Sequence, residues 1–262
     1  MRRSAIFWGV IIILLGILFL LQNLGIITVN IWGIILPVFV IALGIWILWG
    51  STSRRNAKVV HIDVPKNGAV QASVKIRHGA GRLLIGPNQI GDSLLTGDCN
   101  GGADLNTQRV GDALQVTVSA LDRSFPFIWG PEYRLDWDLK LTPAIPMSIS
   151  IESGAAESRI DLSQLLVNKF RLNSGASSNY IMFPANGGQT NAEFKTGAAS
   201  LEIRIPAGVS GRVRASGGLS SITIDRQRFP RMGDYYQSAD YDSAANRVDI
   251  RVDTGVGSVD IR

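Results

Sequence analysis

The chain has 262 residues, 46% of them hydrophobic, and a formal net charge of +5 at pH 7. That length allows one or two domains. Beyond residue 50 the net charge is about +3, too small an excess to predict a nucleic-acid-binding protein, and the single cysteine, Cys99, excludes an intrachain disulfide framework.

Residues 1–50 predict a transmembrane helical hairpin. They contain no Asp, Glu or Lys, and their two charges are Arg2 and Arg3. The apolar runs at about residues 5–21 and 26–49 are each near the roughly 20 residues with which a helix crosses the hydrocarbon core, and a polar turn separates them. A cleavable signal peptide is the alternative for the first run. No small-residue cleavage site follows it cleanly, and the second apolar run comes immediately after.

The charges beside these runs predict the orientation of the hairpin. Arg2 and Arg3 precede the first run, a basic linker at residues 51–58 follows the second, and the turn between the runs is uncharged. By the positive-inside rule, we expect a two-pass protein of the cell membrane with its N-terminus and C-terminal domain in the cytoplasm. The linker charges either set this topology or also contact lipid headgroups.

From residue 59 onward the sequence predicts an all-β domain. Apolar and polar residues alternate with a period of two in several segments, which Gly, Pro, Asn and Asp separate. We divide this part into an N-terminal β subdomain at residues 59–143 and a β-repeat array at residues 144–262. The alternating segments are 73–77, 113–118, 135–141 and 147–151.

A phrase that begins with glycine and has isoleucine six residues later recurs through the β domain. Its middle copies are 21, 22 and 21 residues apart, a period of about 21 residues that predicts a stacked, β-solenoid-like repeat. We expect two strands of about five residues per unit, an isoleucine ladder inside the stack, and glycines at turns that need positive φ or close stacking. These structural glycines are Gly79, Gly154, Gly175, Gly197, Gly218 and Gly255.

The interval from Gly218 to Gly255 is 37 residues, longer than the period. Insertions in repeat arrays usually emerge as loops on one face. The extra residues are aromatic and basic, and we predict that they form a partner-binding loop with Arg228, Phe229, Arg231, Tyr235 and Tyr236 as its candidate contacts.

The sequence predicts no catalytic, cofactor-binding or metal-binding residues. His61, His78 and Cys99 lack the spacing of a zinc site, and pairing of Cys99 with His78 as a nucleophile is a weaker reading than a turn cysteine and a surface histidine. Asp136 and Asp138 fit the outer face of a hairpin better than a pair of catalytic carboxylates. Arginines recur along the array but interleave with glutamates, which favours a mixed solvated face over a basic binding stripe.

Two stretches resemble known bacterial families. The phrase at residues 9–25, followed by Leu-Pro-Val-Phe-Val-Ile-Ala-Leu-Gly at residues 36–44, resembles the LiaI/LiaF-type transmembrane segment. The segment at residues 77–86 and the later Ser-Gly-Ala phrases resemble the toast-rack β repeats attached to such hairpins. The resemblance implies a membrane partner that restrains a sensor kinase in the response to envelope stress.

These patterns together predict a non-catalytic membrane protein with a regulatory or scaffold role in the cell-envelope stress response. Its partners would be the lipid bilayer and a membrane sensor kinase or a second copy held through the hairpin, with no nucleic acid. An extracytoplasmic adhesion or polymer-binding β-repeat module is the alternative, and it requires the β domain to lie outside the cell.

Overall fold

The computed structural model describes residues 40–41, 59–88, 91–121 and 135–262. The chain divides into two compact units, Met1–Arg55 and Asn56–Arg262. The predicted membrane spans and the basic linker lie outside the described residues, except for Val40 and Ile41, which are helical. Within the described ranges, no helix is both long and apolar enough to cross a membrane.

The described part of the second unit is a single sheet of thirteen strands. Three of the predicted alternating segments fall within β2, β5 and β7, and the fourth, 135–141, contains the whole of β6, which confirms the mostly-β prediction. The strands are β1 Val60–Pro65, β2 Gln71–Pro87, β3 Ser93–Cys99, β4 Ala103–Val110, β5 Ala113–Ala120, β6 Trp137–Leu141, β7 Met147–Asp161, β8 Val167–Met182, β9 Gln189–Arg204, β10 Ser210–Ile224, β11 Arg231–Met232, β12 Tyr235–Gln237 and β13 Arg247–Ile261.

Six long parallel strands form the centre of this sheet, in the order β2-β7-β8-β9-β13-β10, and we call them the parallel array. Each repeat contributes one strand of 15 to 17 residues. The prediction of two short strands per unit, joined by a turn at the glycine, is therefore wrong. The isoleucine ladder is confirmed, because the six isoleucines pair in register and all are buried: Ile85, Ile160, Ile181, Ile203, Ile261 and Ile224.

Burial changes parity at the repeat glycine of each long strand. In β8, Phe170, Leu172 and Ser174 are buried before Gly175, whereas Asn179 and Ile181 are buried after it. Successive side chains of a strand point to opposite faces, so a switch from even to odd positions requires a local distortion of the strand. The pairing register skips the glycines at this point, which is consistent with a bend there.

Aromatic packing fills the interior beside this bend. The rings of Phe170, Phe183 and Phe194 have centroids 5.6 to 6.3 Å apart, and all three side chains are fully buried. Rings at such separations in tilted or edge-to-face arrangements add favourable contacts beyond the burial of their surface. The repeated strands therefore share one continuous core.

The array forks at β2. The first half of β2 pairs with β5, and β5 pairs with β4. The second half pairs with β6, which is followed outward by β3 and β1. The predicted boundary at residue 143 lies between β6 and β7, within this one sheet. The segment between the first two glycine phrases thus supplies the strands that cover one end of the array.

The last strand lies inside the array, away from its end. β13 pairs along its length with β9 on one side and with β10 on the other. Consecutive strands are usually neighbours in space, so chain order favours β10 beside β9. Insertion of β13 instead leaves β10 as the outermost long strand.

Candidate functional site

The six repeat glycines form a column across the parallel array, and none of them has a positive φ. A Cβ on Gly154 would lie 2.8 Å from the carbonyl oxygen of Gly79, and a Cβ on Gly175 would lie 2.9 Å from that of Gly154. Such a distance is too short for a side chain, so the column needs glycine because the backbones approach closely. The prediction that these glycines sit in turns is wrong, since all six lie inside strands.

The predicted partner loop is largely a structural cap. Phe229 is fully buried, and a Cβ on Gly211 would lie 2.8 Å from its ring. The guanidinium group of Arg228 donates hydrogen bonds to the carbonyl oxygens of Ile205, Pro206 and Val209. The assignment of Phe229 and Arg228 as partner contacts is therefore corrected, because both are occupied in closing the end of the array.

The tyrosines of this insertion surround Arg212 of β10. The guanidinium carbon of Arg212 lies 4.2 Å from the ring centroid of Tyr241 and 5.5 Å from that of Tyr235. Its Nε donates to Gln237 at 2.6 Å. Tyr236 is half-buried against the core. Among the predicted contacts, Arg231 is exposed, and it donates a hydrogen bond to the carbonyl oxygen of Gly233.

An open groove of about 1110 Å³ runs across the array beside the glycine column. Its lining contains charges of both signs: Arg77 and Glu152 lie on the neighbouring strands β2 and β7, and Lys195 and Asp253 lie on the neighbouring strands β9 and β13. Lys75 donates to Glu152 at 2.7 Å, and this hydrogen bond lowers the pKa of the Glu152 carboxyl. Local pairing of this kind indicates a solvated surface in which the charges neutralise one another.

The same pairing recurs further along the array. Lys195 and Arg171 both contact Glu193, at 2.9 and 3.2 Å, and the hydrogen bond from Lys195 lowers the pKa of Glu193. Arg204 pairs with Glu202 on its own strand. These contacts support a mixed solvated face over a continuous basic stripe.

Among the residues that the structure describes, no contact activates the candidate nucleophile, Cys99, or its candidate base, His78. Burial raises the pKa of the Cys99 thiol to about 12, so the thiol is protonated near neutral pH and is a poor nucleophile. His78 is buried, not exposed as predicted, and its Nε2 lies 2.7 Å from the carbonyl oxygen of Leu135. No hydrogen bond joins His78 to Cys99 among the residues with described positions.

The remaining candidate groups have structural partners. Asp136 accepts a hydrogen bond from the backbone N–H of Arg82, and Asp138 pairs with Lys140 at 2.9 Å. His61 lies on the surface, 2.8 Å from Asp98. Within the described ranges, no group of three or more His, Cys, Asp or Glu side chains is arranged to hold a metal ion.

Two models of known protein families match this chain. The model of the N-terminal domain of toast_rack, DUF2154, matches residues 52–204, more than half of the chain. The chain belongs to the toast-rack family. The model of the LiaF transmembrane domain matches residues 7–64, so the toast-rack domain follows a LiaF-type membrane segment. Both resemblances seen in the sequence are confirmed.

A solved structure at a TM-score of 0.70 shares the fold of this toast-rack protein. A protein from Clostridium sporogenes ATCC 15579, provisionally named a cell adhesion protein, matches with a TM-score of 0.70 and 19% identity, over 78% of this chain and 98% of its own. A provisionally named adhesin from Bacteroides fragilis NCTC 9343 matches at 10% identity with a TM-score of 0.30, over 78% and 97% of the two chains. No curated protein matches significantly.

Sequence reasoning missed the outer edge of β10. On one side, β10 pairs with β13 from Ser210 to Ile224, but on the other side β12 pairs only with Arg212 and Val213. The long interval before Gly255 indicated extra residues at this end of the array. It carried no signal that β13 would take the place beside β9.

Proposed function

We propose that this toast-rack protein is a non-catalytic membrane protein with a regulatory or scaffold role in the cell-envelope stress response, exerted through protein–protein contacts. The LiaF transmembrane match at residues 7–64, joined directly to the toast-rack domain, is the observation that carries the proposal. The hairpin would hold the β domain at the membrane surface, where it could contact the cytoplasmic part of a membrane sensor kinase.

The chemistry of the described side chains supports a binding role over catalysis. The thiol is buried with a raised pKa, and Glu152, which lines the groove, is paired with Lys75 and Arg77. Catalytic groups usually combine a perturbed pKa with a position in a cleft facing the substrate. In this groove the pKa of Glu152 is lowered by its hydrogen bond from Lys75 and by Arg77, so the shift comes from a surface ion pair.

A second candidate function is an extracytoplasmic adhesion module. It is favoured by the name of the Clostridium sporogenes protein that shares the fold, and it requires the β domain to lie outside the membrane. The two candidates therefore differ in the side on which the β domain is placed. The charges at both ends of the predicted hairpin favour the cytoplasmic side.

A labelling experiment separates the two candidates. Asp112 lies in the exposed turn between β4 and β5, so an Asp112→Cys variant offers a reactive thiol on the domain surface. We expect a membrane-impermeant maleimide to label this variant only after the cells are permeabilised. The unaltered chain, with its buried Cys99, is the matched control. Labelling in intact cells would instead support the adhesion module.

A pull-down experiment tests the partner. The tagged full-length chain would be cross-linked in native membranes before extraction, and we expect a membrane sensor kinase to co-purify with it. Recovery of no membrane protein from repeated preparations would contradict the regulatory proposal, whatever the side on which the domain lies.

A further inference from the structure

The outer edge of β10 lacks a neighbour over most of its length. Among the described residues, no strand pairs with that side of β10 beyond Val213. From Arg214 to Ile224, backbone donors and acceptors therefore face away from the sheet on alternate residues. Such an edge is a template for pairing with another strand.

Two of the devices that usually prevent pairing, charged side chains and proline, are missing from residues 215–224 of this edge. Two other outer strands contain such residues: β1 has His61 and Asp63 and ends at Pro65, and β4 has Asp104 and Arg109. Charged side chains and proline blunt edge strands against association, so residues 215–224 of β10 lack the protection that β1 and β4 carry.

Apolar side chains lie beside this edge. Leu219 is 81% exposed, and its in-register neighbour on β13, Val256, is 51% exposed. Ile222 belongs to a column that is buried on the preceding strands, where Val259 and Leu201 are 2% and 1% exposed, but Ile222 itself is half-buried. The core column thus ends without cover at β10.

We propose that the edge of β10 pairs with the same edge of a second copy of this chain, antiparallel and about a two-fold axis at Ser221. The straight segment from Gly218 to Ile224 has Ser221 at its midpoint, so its two ends match by symmetry. Opposed residues in an antiparallel pair share a face, which sets Leu219 opposite Thr223 of the second copy. Ile222 then lies opposite Ser220 of the second copy on the inner face.

The residue pattern of this edge of β10 favours a second copy of the chain as its binding partner. In the proposed register each exposed or half-buried apolar side chain of β10, Leu219 on the outer face and Ile222 on the inner face, lies opposite a small hydroxyl side chain of the second copy, Thr223 or Ser220. No charge lies within the segment to repel an identical strand. Two-fold association of one self-complementary patch is the commonest geometry of soluble homo-oligomers.

One strand pair is a small interface. It falls below the roughly 1,600 Å² of a standard stable interface, so we expect a transient dimer that depends on local concentration. A membrane-held chain would reach such a concentration in the plane of the bilayer. The test must therefore capture the dimer in place.

Disulfide trapping in native membranes tests the proposal with the full-length chain. In a Ser221→Cys variant the two Cα atoms would lie about 4.5 to 5.5 Å apart across the axis, within the range that a disulfide spans. We expect mild copper–phenanthroline oxidation to produce a disulfide-linked dimer. The matched control is Ser200→Cys, an exposed serine in the same column of the array that has strands on both sides.

A second substitution tests the register. Thr223→Lys in the Ser221→Cys background places a charge opposite Leu219 of the second copy, and we expect the dimer yield to fall several-fold. Thr223 is exposed, so circular dichroism should show an unchanged β fold. Equal dimer yields from Ser221→Cys and Ser200→Cys would overturn the proposal, because association would then come from another part of the chain. Cross-linking of Ser221→Cys solely to a different protein would overturn it as well.

Discussion

The two ends of the parallel array are finished in different ways. At the β2 end, both halves of the strand are covered, the first by β5 and the second by β6. At the β10 end, β12 covers two residues and Phe229 plugs the interior, while the rest of the edge is open in the described structure. Repeat arrays need atypical terminal elements, because a repeat unit exposes its apolar face when no neighbour follows.

The irregular glycine intervals supply these terminal elements. The 75-residue interval before Gly154 contains β3, β4, β5 and β6, which cover the β2 end. The 37-residue interval before Gly255 contains β11, β12 and Phe229, which cover part of the β10 end. The difference teaches that the shorter insertion covers part of the core and leaves most of the β10 edge unpaired among the described residues. We expect the two ends to differ in function at that edge.

Removal of β13 should separate β10 from the rest of the sheet, because β13 pairs with β9 on one side and with β10 on the other. Val248, Ile250, Val252, Val259 and Ile261 are buried, and each fully buried side chain of this kind contributes about 1.5 to 3 kcal/mol. Their sum is comparable to the whole stability of a domain, so a chain truncated after Ala245, with its N-terminal part intact, should lose cooperative thermal unfolding. Circular dichroism of the detergent-solubilised protein measures this.

Deletion of Arg262 alone is the matched control for that truncation, because it leaves every buried residue of β13 in place. Cooperative unfolding of the chain ending at Ala245, near the temperature of the intact protein, would contradict the role of β13 as the strand that joins β9 to β10.

Phe229→Ala should open the partly covered end. The ring is fully buried against Gly211, so its loss should lower the free energy of unfolding by about 3 to 5 kcal/mol, as for other buried aromatic side chains. Met232→Ala, at a half-exposed position in the same insertion, should change stability by less than about 0.5 kcal/mol. Unfolding in denaturant measures the free energy of unfolding of both variants. Equal losses of stability would contradict the role of Phe229 in covering this end of the array.

Alanine substitutions in the glycine column should cost less stability at the β2 end than in the interior of the array. Gly175→Ala brings a Cβ to 2.9 Å from the Gly154 carbonyl oxygen, and the backbone shift should cost about 1 to 3 kcal/mol. Gly79→Ala, at the first position of the column, meets only the flexible side chain of Leu135 at 3.3 Å and should cost clearly less. Equal costs in thermal unfolding would show that the column does not act through backbone contact.

Acid should lower the free energy of unfolding through His78, which lies in β2. Burial lowers the pKa of His78 below its ordinary value of 6.5, because the charged imidazolium loses its hydration. The unfolded chain therefore binds this proton first, and the stabilising contribution of neutral His78, complete above about pH 6.5, is lost as the pH falls toward the lowered pKa. Unfolding free energies measured above and below that pH should differ more in the unaltered protein than in His78→Gln. Identical pH dependence would contradict this.

Much of the fold was readable from the spacing of glycine and isoleucine. The constant six-residue offset from Gly175 to Ile181 and from Gly197 to Ile203 keeps both columns in register when neighbouring strands pair. The strand count per unit was not readable, because close backbone approach and a turn both select glycine. The role of Phe229 in the predicted partner loop was wrong for a related reason. An aromatic residue in an insertion can contact a partner or pack beneath its own loop, and the local sequence is the same in both cases.

The sequence by itself determined the β character, the repeat period, the ladder of isoleucines and the resemblance to a LiaF-type membrane segment, because local alternation and short repeated phrases encode them. Tertiary structure alone decided that β13 lies between β9 and β10, that Phe229 and Arg228 face inward, and that one edge of β10 is open. Long-range pairing carries little local signal, since any of several parallel strands with the same pattern could occupy the same position in the sheet.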